Sequence, residues 1–453
     1  MRIPHKRQSG QVLIMVALSA VVLIASAGLA IDSALGYFVK AKLNAAVDSA
    51  SLAAARGVTL GDTQAAQATN ARQSAKEFFN INYPDKFLLS TPVLNPVGVV
   101  FDRGTVTIDV SATASMPVSL MGILGFKTLN VAASAQTIRK DLDMVLVMDT
   151  SGSLSSNAAA VRAAGKSFLN KFNSTVDRIG LLHFSSGTVI DLPIKKLERG
   201  FNRTQASTAI DNYSFSGNTN YSEGMWRARD ELNGISKSDR SSLRVIVFFS
   251  DGAPTALSSY FFPATSGNCT EAGALAVSAT RPAKGRATSG LYRIDAAAQS
   301  IPSNWCAASL INKLPAWYNA HQTKAQADAA APGEFPITTN TPRKVTADIS
   351  TRTLQYDNVH RAARNLPEAM ASKSRLENTY IFTLGMGAGL KAKEGPDDEV
   401  GEDLLRCMAN TADAPMRCRK PTEPVGLYCY AATESDLSPC FTRLASAILR
   451  ISK

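Results

Sequence analysis

Between Gln11 and Ile31 the chain carries 21 consecutive residues without a charge, "QVLIMVALSAVVLIASAGLAI". An α-helix rises about 1.5 Å per residue, so this stretch covers roughly 30 Å, the hydrocarbon thickness of a bilayer. Arg2, Lys6 and Arg7 precede it and Asp32 follows it. Basic residues favour the cytoplasmic side of a span. Residues 1–10 are therefore expected in the cytoplasm and 11–31 as a single transmembrane helix. The bulk of the chain is then expected on the outer side of the membrane. A cleaved secretory signal is the competing reading, because the stretch holds small-x-small triplets such as "ASA". Two features favour a retained anchor. The stretch exceeds the ~7–15 residues of a signal core, and the helical pattern runs on past any cleavage point. A pilin-type leader fits poorly, because Met15 stands where such processing wants Glu five residues after Gly10.

The 453 residues suffice for two or three domains. The formal charge is +11, with 45% hydrophobic and 19% charged residues. The positive residues are scattered among acids rather than gathered into a run, which argues against nucleic acid as a partner. All six cysteines, Cys269, Cys306, Cys407, Cys418, Cys429 and Cys440, lie beyond the span. An oxidising compartment allows disulfides there. None forms a Cys-x-x-Cys pair, so zinc knuckles and thioredoxin-type chemistry are not expected. Cys269 with Cys306 is the expected bridge, and the remaining connectivity stays open. The last four fall eleven residues apart, a spacing shared by no other residue type, which reads as coincidence.

Past the span, Leu35, Phe38, Val39, Leu43, Ala46, Val47, Ala50 and Ala53/Ala54 recur near a 3.6 period until Gly57. One long helix is expected, either a membrane stalk or an assembly helix. Residues 62–80 read as a second helix. "VGVVFD", "TVTIDVSATA" and "KTLNVAASAQTI" alternate as strands do, with "VSLMGILGF" a short hydrophobic helix or loop between the last two. Residues 32–140 thus comprise a periplasmic helix and a small α+β module.

From 143 the pattern becomes apolar strands alternating with helices: "MVLVM", "RIGLLHF", "LRVIVFF" and "NTYIFTLGM" are the strands. Such strands imply a mostly parallel sheet covered on both faces, with ligands at the carboxyl ends of the strands. Residues 141–453 are read as one α/β domain. Residues 254 to about 356 lack a clear period and read as an insertion, with a disordered loop the alternative.

Three loops carry the chemistry. "DMVLVMDTSGSLSS" runs an apolar strand into Asp149, Ser151 and Ser153. "SGNTNYSEGM" places Thr219 where a helix opens, and "VIVFFSDGAPT" ends a strand at Asp251 and Gly252. All three should emerge on one edge of the sheet. Short hydroxyls with two carboxylates suit a hard divalent cation, since Mg²⁺ takes six oxygens at about 2.0–2.1 Å. Ser151, Ser153 and Thr219 would be direct ligands, while Asp149 and Asp251 hold water and supply charge. Neutral ligands leave the ion seeking a carboxylate from a partner. For any single loop, a plain strand-to-helix turn with Asp149 as a helix cap explains the residues; three in order favour the metal.

Residues 143–255 resemble the von Willebrand factor A-type domain with its metal-ion-dependent adhesion site. The resemblance implies a doubly wound, Rossmann-like sheet, Mg²⁺ or Mn²⁺ as cofactor, protein ligands and no catalysis. It matches at Asp149, Ser151, Ser153, Thr219 and Asp251, with Ser250 where many members have Thr. The insertion after Asp251 departs from the compact family domain. "AIDSALGYFVKAKLNAAVDSASLAAA" and the tail "LLRCMA…YCYAATESDLSPCFTRLASAILRISK" resemble TadE/TadG-like proteins of the tight-adherence (Flp) pilus machinery. This second resemblance implies a pilus assembly component of the inner membrane, with secretion-machinery partners.

No His-Glu-x-x-His, Gly-x-Ser-x-Gly or Gly-x-x-x-x-Gly-Lys pattern occurs. The histidines, at 5, 183, 321 and 360, are far apart in sequence. An enzyme is not expected. Two function classes stay open: a pilus assembly component, or a membrane-anchored adhesin or metal-dependent chaperone unrelated to pili.

Overall fold

The computed structural model describes residues 11–58, 64–102, 105–237, 239–241, 243–262, 269, 271–303 and 306–451. The expected cytoplasmic segment 1–10 lies outside them. The chain divides into two compact units, residues 1–139 and residues 140–452.

The first unit begins with α1 (Gln11–Gly57), a helix of 47 residues. Among the described residues it is the one helix long and apolar enough to cross a membrane. Its C-terminal half is no bare stalk. Val39, Leu43, Ala46, Val47, Ala50 and Ala54 are buried. They pack with Ala71, Ala75 and Phe79 of α2 (Gln64–Asn82) and with the sheet. Small alanines permit that close helix pairing. Phe38, which the 3.6 period assigns to the buried stripe, is instead 59% exposed beside Tyr37. The stripe drifts there, and the face that closes the core is carried by Val39 and Leu43. The sheet has four antiparallel-paired strands: β1 (Thr91–Leu94), β2 (Gly98–Asp102), β3 (Thr105–Pro117) and β4 (Thr128–Lys140). β3 pairs with both β1 and β2 in register. Val106, Ile108, Val110, Ala112 and Ala114 alternate onto its buried face, as the period-2 pattern requires.

The second unit is a six-stranded sheet of order β15-β12-β8-β5-β6-β7. In chain order its elements are β5 (Leu142–Asp149), α3 (Ala158–Leu169), β6 (Arg178–Phe184), β7 (Thr188–Leu192), α4 (Arg203–Asp211), α5 (Tyr221–Asn233) and β8 (Leu243–Ser250). Then follow β9 (Ala256–Ser259), β10 (Gly273–Val277), β11 (Thr288–Arg293), α6 (Lys324–Asp328), α7 (Arg352–Leu376) and β12 (Thr379–Met386). The chain closes with β13 (Lys393–Glu394), β14 (Glu399–Val400), α8 (Gly401–Ala409), β15 (Tyr428–Ala431) and α9 (Glu434–Ile451). Strand pairs in the main sheet are parallel except β6 with β7. This is the mostly parallel doubly wound architecture that the apolar strands predict.

β5 is buried along its whole length. Met144, Leu146 and Met148 face α3, α4 and α9, while Val145 and Val147 face α5, α7 and α8. A strand covered on both faces must be apolar at every position, which is why "MVLVM" lacks alternation. α7 continues unbroken through Pro367.

The described residues of 254–356 are folded. β9, β10 and β11 make a separate antiparallel sheet. Residues 311–349 wrap past it through isolated bridges such as Trp317–Pro336 and Thr339–Val345. Ile311, Leu314, Tyr318, Phe335, Ile337 and Val345 join the core on the α5–α7 side. Long-range pairing with few helical turns leaves no local period to read. All six cysteines pair: Cys269–Cys306, Cys407–Cys418 and Cys429–Cys440. The even spacing that looks like coincidence contains two equal loop closures, each spanning 11 residues.

Candidate functional site

Parallel pairing decides where the three loops emerge. Met148 of β5 aligns with Phe249 of β8, so Asp149 and Ser250 end their strands side by side. Asp149 is fully buried. Its carboxylate accepts the Ser151 amide at 2.7 Å and the Ser250 hydroxyl. The first of these contacts shapes the turn after β5, so part of the plain-turn explanation is present. It does not account for what lies opposite.

There Ser153 Oγ donates to Asp251 Oδ1 at 2.8 Å, and the Ser151 and Ser153 hydroxyls lie 3.2 Å apart. Thr219 lines the same cleft with these residues, a cavity of about 490 Å³. The structure thus brings Ser151, Ser153, Thr219 and Asp251 to one opening, with Asp149 directly behind.

Backbone bonds hold the loops in place. The Gly152 amide donates to Gly217 O at 3.2 Å, tying the first loop to the second. Gly217 has φ of +87°, and a Cβ there would meet Ser185 Oγ at 2.5 Å, so only glycine suits that turn. The Thr255 and Ala256 amides both donate to Thr219 O, at 2.9 and 3.2 Å, tying the second loop to the chain after the third. Asn220 caps α5 through the Glu223 amide, and its amide group reaches Ser186 O and Ser258 Oγ, both at 2.9 Å.

The electrostatics are those of crowded acids. Burial, then the Asp251 charge, pushes the Asp149 carboxyl well above the usual range, against the pull of its Ser151 and Ser250 hydrogen bonds. Burial raises Asp251 too, and the charge of Glu394 in the same cleft adds to it. Two carboxylates held this close are costly to ionise unless a cation joins them. Among the described residues no cluster of three or more His, Cys, Asp or Glu side chains forms a cage. The donor set is instead three hydroxyls with two acids, all oxygen, which fits a hard divalent ion.

Sequence reasoning misses the walls of this cleft. Ser278 and Ser289 come from the insertion, and Gly387, Gly389 and Glu394 come from the chain after β12. None carries a sequence signal, because the topology of distant segments places them there. It also misses the clamp behind Thr219. Glu223 accepts from Arg227 Nε at 2.8 Å and from Tyr318 Oη at 2.8 Å. His321 Nε2 lies 3.0 Å from the Glu223 carboxylate, off the line of a good hydrogen bond, and the His321 ring stacks on Trp226. Burial alone would raise Glu223, yet His321, Arg227 and Tyr318 outweigh it and hold it at about 2. His183 bonds Asp191 at 2.8 Å and packs on Tyr213, an arrangement of strand and helix rather than of a cleft.

Residues 144–253 match the family model of the von Willebrand factor type A domain. This stretch has the A-type fold. No curated protein matches the chain. Among solved structures, the chain is similar to the vWF domain of the type V pili tip protein Mfa5 from Porphyromonas gingivalis. Identity is 14% and the TM-score 0.40, over 70% of this chain and 98% of that one. The pilus adhesin SpaC from Lactobacillus rhamnosus GG is 15% identical with a TM-score of 0.37, over 80% of this chain and 35% of that one. Proximal thread matrix protein 1 from the mussel byssus, with a zinc-occupied MIDAS motif, is 13% identical with a TM-score of 0.33, over 69% and 46%. Likeness at this level carries no functional weight. The matched stretch ends at residue 253, before the Ser278 and Ser289 segment that walls the cleft.

Proposed function

We propose that this protein is an inner-membrane-anchored, periplasm-facing component of a tight-adherence (Flp) pilus assembly apparatus. Its A-type domain binds a protein partner through a divalent cation, Mg²⁺ or Mn²⁺. The observation that carries the binding half is the meeting of Ser151, Ser153, Thr219 and Asp251 at one cleft with Asp149 behind. Ser151, Ser153 and Thr219 would hold the cation, and the two acids would orient its water and balance part of its charge. When bound, the cation supplies a site for a partner carboxylate. The anchoring half is supported by the uncharged run of residues 11–31 and its basic flank. The assembly half is supported by the resemblance of the long helix and the tail to TadE/TadG-like proteins. A cell lacking this protein should lose its Flp-type pili. Complementation with wild type should restore them, and an Asp149→Ala variant should not. Full piliation with that variant would overturn the metal mechanism. Piliation untouched by the deletion would overturn the assembly role.

A further inference from the structure

The first unit carries an apolar loop that neither the A-type cleft nor the span accounts for. Between β3 and β4 the chain reads "VSLMGILGF" without a charge until Lys127. Ile123, Leu124 and Phe126 on it are 57, 51 and 53% exposed. Large apolar side chains clustered in the open mark a surface made for something other than water.

Where the loop sits on α1 says what that is. From Val12 to Ile31 only Gly28 is buried. The residue covering it is Leu120: a Cβ on Gly28 would fall 2.6 Å from Leu120 Cβ. One turn further on, Asp32 has no exposed surface. Its carboxylate accepts the backbone amides of Ser119, Leu120 and Met121 at 3.0, 3.0 and 2.8 Å. The chain then turns back along α1, where Leu129 packs against Gly36. Among the described residues of this unit, the loop is therefore the part that covers α1 closest to its apolar run.

The depth follows from counting. A span needs about 20 residues, and Arg7 marks how far the N-terminal edge of the hydrocarbon can shift. Even with that shift, the far edge falls at about Gly28; with the uncharged run centred in the bilayer, Gly28 lies inside it. A side chain resting on Gly28 is then at the edge of the hydrocarbon. The three amides on Asp32 are what let a carboxylate stand so close to it, since a buried charge needs its hydrogen bonds.

We infer that the β3–β4 loop, residues 118–127, is a second membrane contact that inserts Ile123, Leu124 and Phe126 among the lipid headgroups and upper acyl chains beside α1. The occupant of this surface is lipid, argued from its continuity with the span. Side chains of this kind enter roughly 5–10 Å below the surface. The contact would fix the tilt and rotation of the first unit on the membrane, which a single helix leaves free. The inference rests on the anchor reading of residues 11–31.

The test places tryptophan in the full chain, reconstituted in phosphatidylcholine and phosphatidylglycerol vesicles. Bromine on the acyl chains serves as quencher, either near the headgroup or deep. Phe126→Trp and Ile123→Trp probe the loop, Leu18→Trp the span, and Val100→Trp an exposed position on β2. The wild-type signal of the native tryptophans is subtracted. Loop tryptophans should be blue-shifted and quenched most by shallow bromine, and Leu18→Trp most by deep bromine. Val100→Trp should be unaffected. Quenching at Leu18→Trp with loop tryptophans no different from Val100→Trp would overturn the inference and leave the anchor standing. No quenching at Leu18→Trp would overturn both.

Discussion

Glu223→Gln removes one charge from behind the proposed metal cleft and keeps the shape. In the wild type this carboxylate is fully buried and receives Arg227 and Tyr318, each at 2.8 Å, with His321 beside it. Tyr318 and His321 belong to the insertion, while Glu223 stands one turn past Thr219 on α5. The pair of contacts therefore clamps the insertion onto the helix that follows Thr219, a proposed cation ligand. Held at about 2 against an ordinary 4.5, the ionised carboxylate contributes on the order of 3 kcal/mol. That agrees with the roughly 3–5 kcal/mol expected from breaking a buried pair on one side. The folded value is depressed. The contribution is therefore complete above about pH 4.5 and is lost as pH falls toward about 2. The assay is urea unfolding of the full chain in detergent, followed by tryptophan emission, since Trp226 stacks on His321 at 3.4 Å between ring centroids. Wild type should exceed the variant by about 3 kcal/mol near neutrality, and the gap should close as the acid limit is approached. A gap that stays constant with pH, or one under about 0.5 kcal/mol at neutrality, would refute the clamp, because surface changes alone fall in that range.

Asp149→Ala should abolish Mg²⁺ binding and Thr219→Ala should weaken it less, because water can replace one neutral ligand; calorimetric titration of the full chain, with circular dichroism for folding, decides. Asp149 and Asp251 are both raised by burial. In the metal-free protein this pair should therefore cost stability progressively as pH rises from about 4 to about 7, opposite in sign to Glu223, and Mg²⁺ should offset that loss. A pH–stability profile with and without chelator checks the sign. Reduction should open three bridges; by loop length, each of the two 11-residue closures contributes about 3 kcal/mol and Cys269–Cys306 about 4. Non-reducing peptide maps showing other pairs would contradict the pairing, and six free thiols would contradict the compartment as well. A reporter active only in the periplasm, fused after residue 140, should be active; cytoplasmic activity would sink the proposed topology.

What the sequence determines by itself is local. Twenty-one uncharged, mostly apolar residues in a row announce one continuous helix, and periods of 2 and 3.6 announce β3 and α1. Fully apolar strands announce a sheet covered on both faces. The three loops ending in Asp149, Thr219 and Asp251 were legible because each follows or opens an element at a place that parallel pairing must align. What only the tertiary structure decides is what distant segments do to one another. Phe38 leaves its predicted stripe because the partner surface, not the period, chooses the buried face. The order of the insertion's described residues shows no local period, because its core residues are spaced far apart and meet on the α5–α7 side. Glu394, Ser278 and Ser289 reach the cleft by topology alone. Gly28 and Asp32 read as ordinary residues near the end of a span; their role appears only when Leu120 and three backbone amides, some 90 residues later, are found resting on them. Short-range propensity and periodicity are written in neighbours, whereas close approach and charge balance depend on who arrives from elsewhere in the chain.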